Sequence, residues 1–326
     1  MINRKQCFSF ALAALAAFAA FGDAGAQAQE SVTRIEVGYA AGGAADLVAR
    51  AYAEQLEAEG LRNVIVENRP GASGRLAFDY VRRAKPDGLT LYLGSSPLFT
   101  VFPLTYRNPG YNPEDLKPVA VVADVPTGAV AGVSQPYSNM AEYVKWAKQN
   151  PAKANLGLAT LGSPGQLGTI AMGKEQGLEV TPVVYRGASP MLVDVISGQV
   201  SFGWDAVASM MPLYNGGKLK FLGVSGSGRL PQLPHVPTLA EQGFPQYEHA
   251  TSWYGIFVPA GTPDATVARL EKVLLAAARS PKLVDRLQTN GFVVAPQPHG
   301  EVAGRIRQER EYWAPIVKAG GIVIDE

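Results

Sequence analysis

The sequence predicts an α/β fold with a largely parallel sheet. Three observations carry this: short β-type runs alternate with amphipathic helical ones from Arg34 onward, helix boundaries show capping and proline signals, and two strand-to-helix junctions are rich in glycine. The first unit is a strand from Arg34 to Gly38, a helix from Ala45 to Glu59 and a strand from Asn63 to Asn68. Gly71-Ala72-Ser73-Gly74 leads into a helix from Gly74 to Arg83, and Pro86-Asp87-Gly88 turns the chain into a strand from Thr90 to Gly94. A strand from Val119 to Ala123 passes through Val125-Pro126-Thr127 into another apolar run, Ala129 to Val133.

A second set of units follows. Asn139 with Glu142 three residues on is a capping box for a helix that stops before Pro151. The strand Asn155 to Ala159 is followed by the loop Thr160-Leu161-Gly162-Ser163-Pro164-Gly165 and a helix from Gln166 to Glu175. After the strand Val180 to Tyr185, Ser189 reads as an N-cap, Pro190 as the first helical position and Gly198 as the stop. Val200 to Trp204 and Leu219 to Ser225 are the next strands, around a helix ending at Gly216-Gly217. Thr238 and Glu241 form another capping box for a short helix closed by Gly243. Beyond the strand Thr251 to Pro259 the chain becomes helical, with starts at Thr262-Pro263 and Pro281 and a long final helix from Glu301 to Lys318. Val302, Ile306, Trp313, Ile316 and Val317 fall on one stripe of that helix, which therefore packs on a domain.

The first residues carry a different message. Arg4 and Lys5, the apolar run Phe8 to Phe21 and the small-x-small pattern Ala26-Gln27-Ala28 read as a cleavable Sec-type signal peptide over residues 1–28, which implies a periplasmic product. Cleavage there removes Cys7, the single cysteine, so neither a disulfide nor a thiol nucleophile is expected. Taking 28 residues from 326 leaves 298, about two ordinary domains. Arg4, Lys5 and Asp23 leave with the peptide, so 29 basic and 28 acidic side chains become 27 of each, and nothing in the balance points to nucleic acid. The three histidines, His235, His249 and His299, form no metal-ligand pair. There is no H-E-x-x-H, Walker loop, G-x-G-x-x-G or G-x-S-x-G; Gly223-Val224-Ser225-Gly226-Ser227 misses the last glycine of such an elbow. A binding protein, with neither metal nor cofactor, is expected over an exported hydrolase.

Gly38 to Asp46 joins a strand to a helix, and Gly42 and Gly43 can turn main-chain N–H groups toward a small anion at the helix start. Asp46 sits in the first helical turn, where its charge suits the dipole, and reads as structural. The second glycine-rich loop offers Thr160, Gly162 and Ser163; for Ser163 a helix cap and a ligand contact coexist. Ser95 and Ser96 follow a strand and so lie at a carboxyl end of the sheet, where ligands of open α/β folds collect. Arg186 and Gly187 occupy a similar strand end, and Arg186 is either a clamp for a second carboxylate or a solvated loop cation. Asp205 accepts hydrogen bonds from the backbone or from a ligand amine. Glu67-Asn68-Arg69 before Pro70 reads as architecture, an Asn and a charged pair that pin loops together at a turn.

With these residues in view the chain resembles the tripartite tricarboxylate transporter receptors, the Bug family of periplasmic solute-binding proteins. Val66-Glu67-Asn68-Arg69-Pro70-Gly71-Ala72-Ser73-Gly74 is similar to that family's V-E-N-R-P-G-A-G-G. Ala84-Lys85-Pro86-Asp87-Gly88, Leu93-Gly94-Ser95-Ser96, Leu233-Pro234-His235-Val236-Pro237-Thr238, Ser252-Trp253-Tyr254-Gly255 and Pro259-Ala260-Gly261-Thr262-Pro263 follow in the family's order. The resemblance implies a two-lobed, flytrap-like (type II-like) α/β receptor with mainly parallel sheets and a ligand cleft between the lobes. Lobe 1 is then 29–126 plus 252–326 and lobe 2 is 127–251, with crossings near Val125 to Ala129 and His249 to Trp253. It also implies a monomer that captures a small carboxylate, such as a di- or tricarboxylate, an acidic amino acid or an aromatic acid, and hands it to integral-membrane transporter subunits. A carboxylate sensor for a membrane signalling protein shares this chemistry and differs in partner. The chain departs from the family where Gly38 and Tyr39 replace Pro-Phe, Ala41 replaces proline, Gln166 replaces a common histidine and Trp204-Asp205-Ala206 replaces F-D-N. Tyr39 and Ala41 therefore mark ligand choice, the ring of Trp204 shifts the expectation toward an aromatic acid, and Phe99 and Trp253 join Tyr39 and Trp204 as candidates for setting pocket width.

Overall fold

A computed structural model describes residues 32–61, 63–185 and 187–325; the expected signal peptide and Arg186 lie outside the described residues. The chain first lays down β1 (Thr33–Val37), α1 (Ala44–Ala58), β2 (Val64–Asn68), α2 (Arg75–Arg82) and β3 (Thr90–Ser95). The short helices α3 (Pro97–Thr100) and α4 (Phe102–Thr105) then lead to β4 (Leu116–Val125). The middle of the chain forms β5 (Thr127–Gly132), α5 (Met140–Gln149), β6 (Asn155–Leu158), α6 (Pro164–Gln176), β7 (Thr181–Val184), α7 (Ala188–Ser197), β8 (Phe202–Ala206), α8 (Val207–Asn215) and β9 (Leu219–Val224). It closes with β10 (Ser252–Pro259), α9 (Asp264–Ala277), α10 (Pro281–Thr289), β11 (Gln297–Pro298) and α11 (His299–Gly320).

Two sheets result, ordered β11-β4-β10-β3-β1-β2 and β7-β6-β8-β5-β9. The chain leaves the first at Val125, enters the second at Thr127 and returns through Thr251 to Ser252. Thr127 clips the two passages together, its hydroxyl donating to the Ala250 carbonyl at 2.5 Å and lying 2.8 Å from the Ser225 hydroxyl. The sheets are mixed where the sequence suggested mainly parallel ones. β1 pairs parallel with β2 and β3, and β6 with β7 and β8, but β4, β5, β9 and β10 pair antiparallel with their neighbours. The reason is the double passage: strands that carry the chain between sheets enter each one against the direction of its βαβ units.

Alternation along the strands divides the first core in two. Leu91, Leu93 and Ile256 join Val48, Tyr52, Leu56, Leu270, Leu274 and Leu287 under α1, α9 and α10. Tyr92, Trp253 and Phe257 join Phe78, Phe99 and Phe102 on the other face, where the Phe99 and Phe257 rings stack at 3.9 Å. The last helix serves both lobes: Val302 belongs to that aromatic cluster, while Trp313 and Val317 pack with Leu158, Leu167, Trp204 and Tyr247 of the second sheet's core.

Local signals explain several helix starts. The Asn139 side chain accepts from the Glu142 amide at 2.8 Å and the Glu142 carboxylate from the Ser138 amide at 2.7 Å, a reciprocal cap for α5. Two expectations need correction. Gly187, at φ 112°, caps α7, and Ser189 lies inside it, because the glycine takes the backbone shape at which the strand exit bends into the helix. Thr238 and Glu241 exchange the hydrogen bonds of a capping box at 2.6 and 3.0 Å, yet the segment beyond them remains a series of turns.

Candidate functional site

Both sheets point strand ends at one space. β1 runs into the Gly38–Gly43 loop, β3 ends on Ser95, β6 runs into the Thr160–Ser163 loop, and β8 carries Trp204 and Asp205. Together with Pro97, Phe102, Thr251, Ser252 and Tyr254 these elements enclose a cavity of about 160 Å3 between the lobes. Carboxyl ends of parallel strands collect here because each helix must turn back over its sheet and leaves the crevice open.

Six of the sequence candidates line the cavity: Tyr39, Ser95, Thr160, Ser163, Trp204 and Asp205. The Tyr39 hydroxyl lies 2.7 Å from Ser95 Oγ, which joins the first loop to the end of β3. Ser163 also caps α6, accepting from the Gln166 amide at 3.4 Å, so one hydroxyl serves the helix and faces the space. Trp204 stacks on Tyr247 with ring centroids 5.2 Å apart, and its indole covers Gly165 so closely that a Cβ there would lie 2.2 Å from Nε1.

The remaining candidates stand elsewhere. Ala41, Gly42 and Gly43 are exposed outside the cavity lining, and in this conformation Gly42, at φ 81°, gives its amide to Asp46 Oδ2 at 2.9 Å while Gly43 gives its own to the Ala40 carbonyl at 3.3 Å. The Gly42 amide that the sequence offers to an anion is thus held by the carboxylate four residues on. Gly162 is buried and donates to Gln166 Oε1 at 2.7 Å, so the residue in place of the family's histidine closes the second loop. Ser96 lies beneath the site, its hydroxyl 3.1 Å from Ser252 Oγ and accepting from the Trp253 amide at 3.3 Å, where it ties β3 to β10. Gly187 does not line the cavity. Phe99 and Trp253 do not either, since both are in the aromatic core, with the Trp253 indole N–H donated to Glu309 at 2.8 Å. Among the lining residues that the sequence reading missed, Tyr254 and Ser252 lie on one face of β10 with Trp253 on the other, and the alternation of Ser252-Trp253-Tyr254 carried that signal.

The Glu67-Asn68-Arg69 signature supports the first loop. Asn68 Nδ2 donates to the Tyr39 carbonyl at 3.0 Å and its Oδ1 accepts from Arg50 at 3.3 Å. Arg69 pairs with buried Glu36 at 2.6 Å and with Glu67 at 2.8 Å, and its guanidinium lies 3.7 Å from the Tyr80 ring centre. Burial opposes the charge on Asp46, but the bonds from Arg50, the Gly42 amide and Asn68 outweigh it and hold the carboxyl below its ordinary range.

Electrostatically the cavity is unusual for an anion site. Its charged lining, among the described residues, is Asp205 alone. One Asp205 oxygen accepts from the Ala206 amide at 2.6 Å, and burial pushes the carboxyl up to about 6 from 3.8. Burial also raises the phenols of Tyr39 and Tyr254, which remain protonated donors at any ordinary pH. No group of histidine, cysteine and carboxylate side chains suited to a metal ion occurs among the described residues.

Two α/β lobes joined by crossing strands around an interlobe cavity define a periplasmic-binding-protein fold. Residues 48–322 match the family described as tripartite tricarboxylate transporter family receptor, and the chain belongs to that family. Its members are binding receptors, and the chain is not an enzyme. The chain is 31% identical over 289 residues to a UPF0065 protein of Bordetella pertussis strain Tohama I, covering 89% of each, and 29% identical over 282 residues to protein BugT of the same organism, covering 86% of each. Among solved structures it is similar to R. palustris Rpa4515 with adipate, at 32% identity and TM-score 0.83 over 90% of this chain and 98% of that one. MatC from Rhodopseudomonas palustris with bound malate aligns at 27% identity and TM-score 0.77 over 88% and 98%. No helix among the described residues is long and apolar enough to cross a membrane.

Proposed function

We propose that the chain is an exported periplasmic receptor that captures a small carboxylate between its lobes and delivers it to the integral-membrane subunits of a tripartite tricarboxylate-type transporter. The observation that carries this is the cavity walled from both sheets and lined by the hydroxyl-bearing residues Tyr39, Ser95, Thr160, Ser163, Ser252 and Tyr254. Hydroxyl and amide donors hold a carboxylate with charge-assisted hydrogen bonds and need no cation. The relatives with bound adipate and malate support the ligand class.

Size narrows the class further. The cavity of about 160 Å3 is close to the roughly 150 Å3 that admits benzene in an engineered protein. A C4 to C6 diacid or an acid on one aromatic ring suits that volume. Contacts to both lobes exist together only when the lobes are closed, so ligand stabilises the closed state by its differential affinity. The test is a thermal-shift and scattering screen with mono-, di- and tricarboxylates, amino acids and aromatic acids. At about 100 times Kd a bound acid adds roughly 2.7 kcal/mol to stability and raises Tm. Absence of both a Tm shift and compaction across the whole panel overturns the reading.

A further inference from the structure

The cleft places a carboxyl group where a receptor for anions would be expected to place a cation. Asp205 lines the cavity from β8, and each neighbouring element adds a polar residue to the same lining. The loop after β1 presents the Tyr39 phenol, β3 the Ser95 hydroxyl, β5 Thr127, the loop after β6 Thr160 and Ser163, and β10 Ser252 and Tyr254. Of these only the two phenols titrate, and burial keeps them protonated. No lysine, arginine or histidine lines the space among the described residues, and burial and the Ala206 amide alone shift the Asp205 carboxyl, with no cation among the causes. Resting on the carboxylate-receptor reading, we propose that Asp205 carries a proton when an acid occupies the cleft and donates it to the ligand's carboxylate, so that capture takes up one proton from solvent.

The chemistry balances simply. A solvent proton binds the Asp205 oxygen not committed to the Ala206 amide, and the resulting O–H donates to a ligand oxygen; no other bond changes. In the empty cleft burial already lifts the carboxyl to about 6, so near neutral pH it lacks its proton about nine times in ten and supplying one costs about tenfold in affinity. Leaving two carboxylates face to face in this small space costs more, because burial already disfavours the charge on Asp205 and a second like charge at contact adds to it. A neighbouring anion then raises Asp205 further, which is what locks the proton in. The sign of the pH dependence follows. The complex holds a proton that free protein loses above about pH 6, so affinity weakens as pH rises from about 6 to about 8, by as much as a decade per unit. A ligand that instead set an ammonium group against ionised Asp205 would show the opposite sign, weakening as pH falls through about 6.

Calorimetry with adipate and with benzoate, between about pH 6 and pH 8 and in buffers of different ionisation enthalpy, tests this on the full mature chain. The expected result is proton uptake that rises from about one half near pH 6 to close to one near pH 8, with affinity falling several-fold or more per unit of rising pH. Asp205→Asn keeps the shape and supplies a permanent N–H donor; it is expected to bind at about pH 8 at least as tightly as the parent at that pH and to lose the pH dependence. Binding of either acid by the parent without linked proton uptake overturns the proposal and leaves the receptor reading intact. So does a D205N protein that melts as a folded chain yet binds about tenfold more weakly or keeps the pH slope. Failure of the parent to bind any carboxylate, by calorimetry and by Tm alike, overturns the receptor reading and the proposal together.

Discussion

Single side chains set both the shape and the charge of the cleft. Gly165 is where Trp204 lies flat on the start of α6, and a Cβ at 2.2 Å from the indole nitrogen cannot be absorbed by backbone that begins a helix. Gly165→Ala is therefore expected to displace the ring, to cost about 1–3 kcal/mol in urea unfolding, and to weaken acid binding by changing the wall. Asp205 has the opposite kind of cost. Its folded carboxyl is raised, so its ionised form is penalised in the native state at pH above about 6, and the penalty vanishes below its unfolded value near 3.8. Asp205→Asn is thus expected to raise stability near neutral pH by about 1–2 kcal/mol, a value discounted for the water that reaches the cleft, and to leave it unchanged near about pH 4. Equal Tm differences at both pH values would show that Asp205 is not buried as its surroundings indicate. Tyr39 works through geometry, since its phenol joins Ser95 at 2.7 Å while its carbonyl accepts from Asn68.

Loops and helices show how a carboxylate can be architectural. Asp46 seals the loop before α1 by accepting from Gly42 and Arg50 at 2.9 and 3.0 Å. Its folded carboxyl is held below the ordinary value, so its stabilisation is complete above the unfolded value and is lost as pH falls through the folded one. Asp46→Ala is expected to cost about 1–2 kcal/mol at neutral pH, with the difference from the parent shrinking below about pH 4 in denaturant titrations. At this scale much was legible from the chain. Helix boundaries at Asn139, Ser163, Pro281 and Gly198 followed from local hydrogen bonding and φ preference, which act within a few residues. The strand directions were not, because antiparallel pairing of β4, β5, β9 and β10 depends on where the chain passes between sheets, and no period-2 pattern encodes partner or direction. Within the site, Tyr39, Ser95, Thr160, Ser163, Trp204 and Asp205 were legible because strand ends meet ligands. The fate of the Gly42 and Gly162 amides was not, since it turns on whether Asp46 and Gln166 fold back or point away.

At the level of the whole molecule the crossing strands separate two spaces. On one side lie the ends of β1, β3, β6 and β8 and the cleft; on the other lie Val293 beside Asp124 and the segment Ser225 to Gln232 that follows β9, around a groove of about 680 Å3. Val125 and Thr251 line both spaces, as the crossings should. Rotation about these strands that closes the cleft must open the groove, and rotation that opens the cleft must narrow it. The final helix adds a third tie, with Arg305 bonded to Asp124 at 2.8 Å and Glu309 to Trp253 on one side of the hinge and Trp313 in the core of the other lobe. Filling the groove should therefore hinder opening while leaving the acid's own contacts untouched. Ser227 is exposed on the groove's rim and takes no part in lining the cleft, so Ser227→Trp acts on the equilibrium between states and not on the site. If the open form dominates without ligand, removing its advantage increases the fraction competent to bind, and apparent Kd falls in proportion. The expected outcome is a several-fold tighter Kd with a smaller radius of gyration for the ligand-free variant. An unchanged radius with unchanged affinity would mean that the groove does not narrow on opening, and that the hinge turns about a different axis.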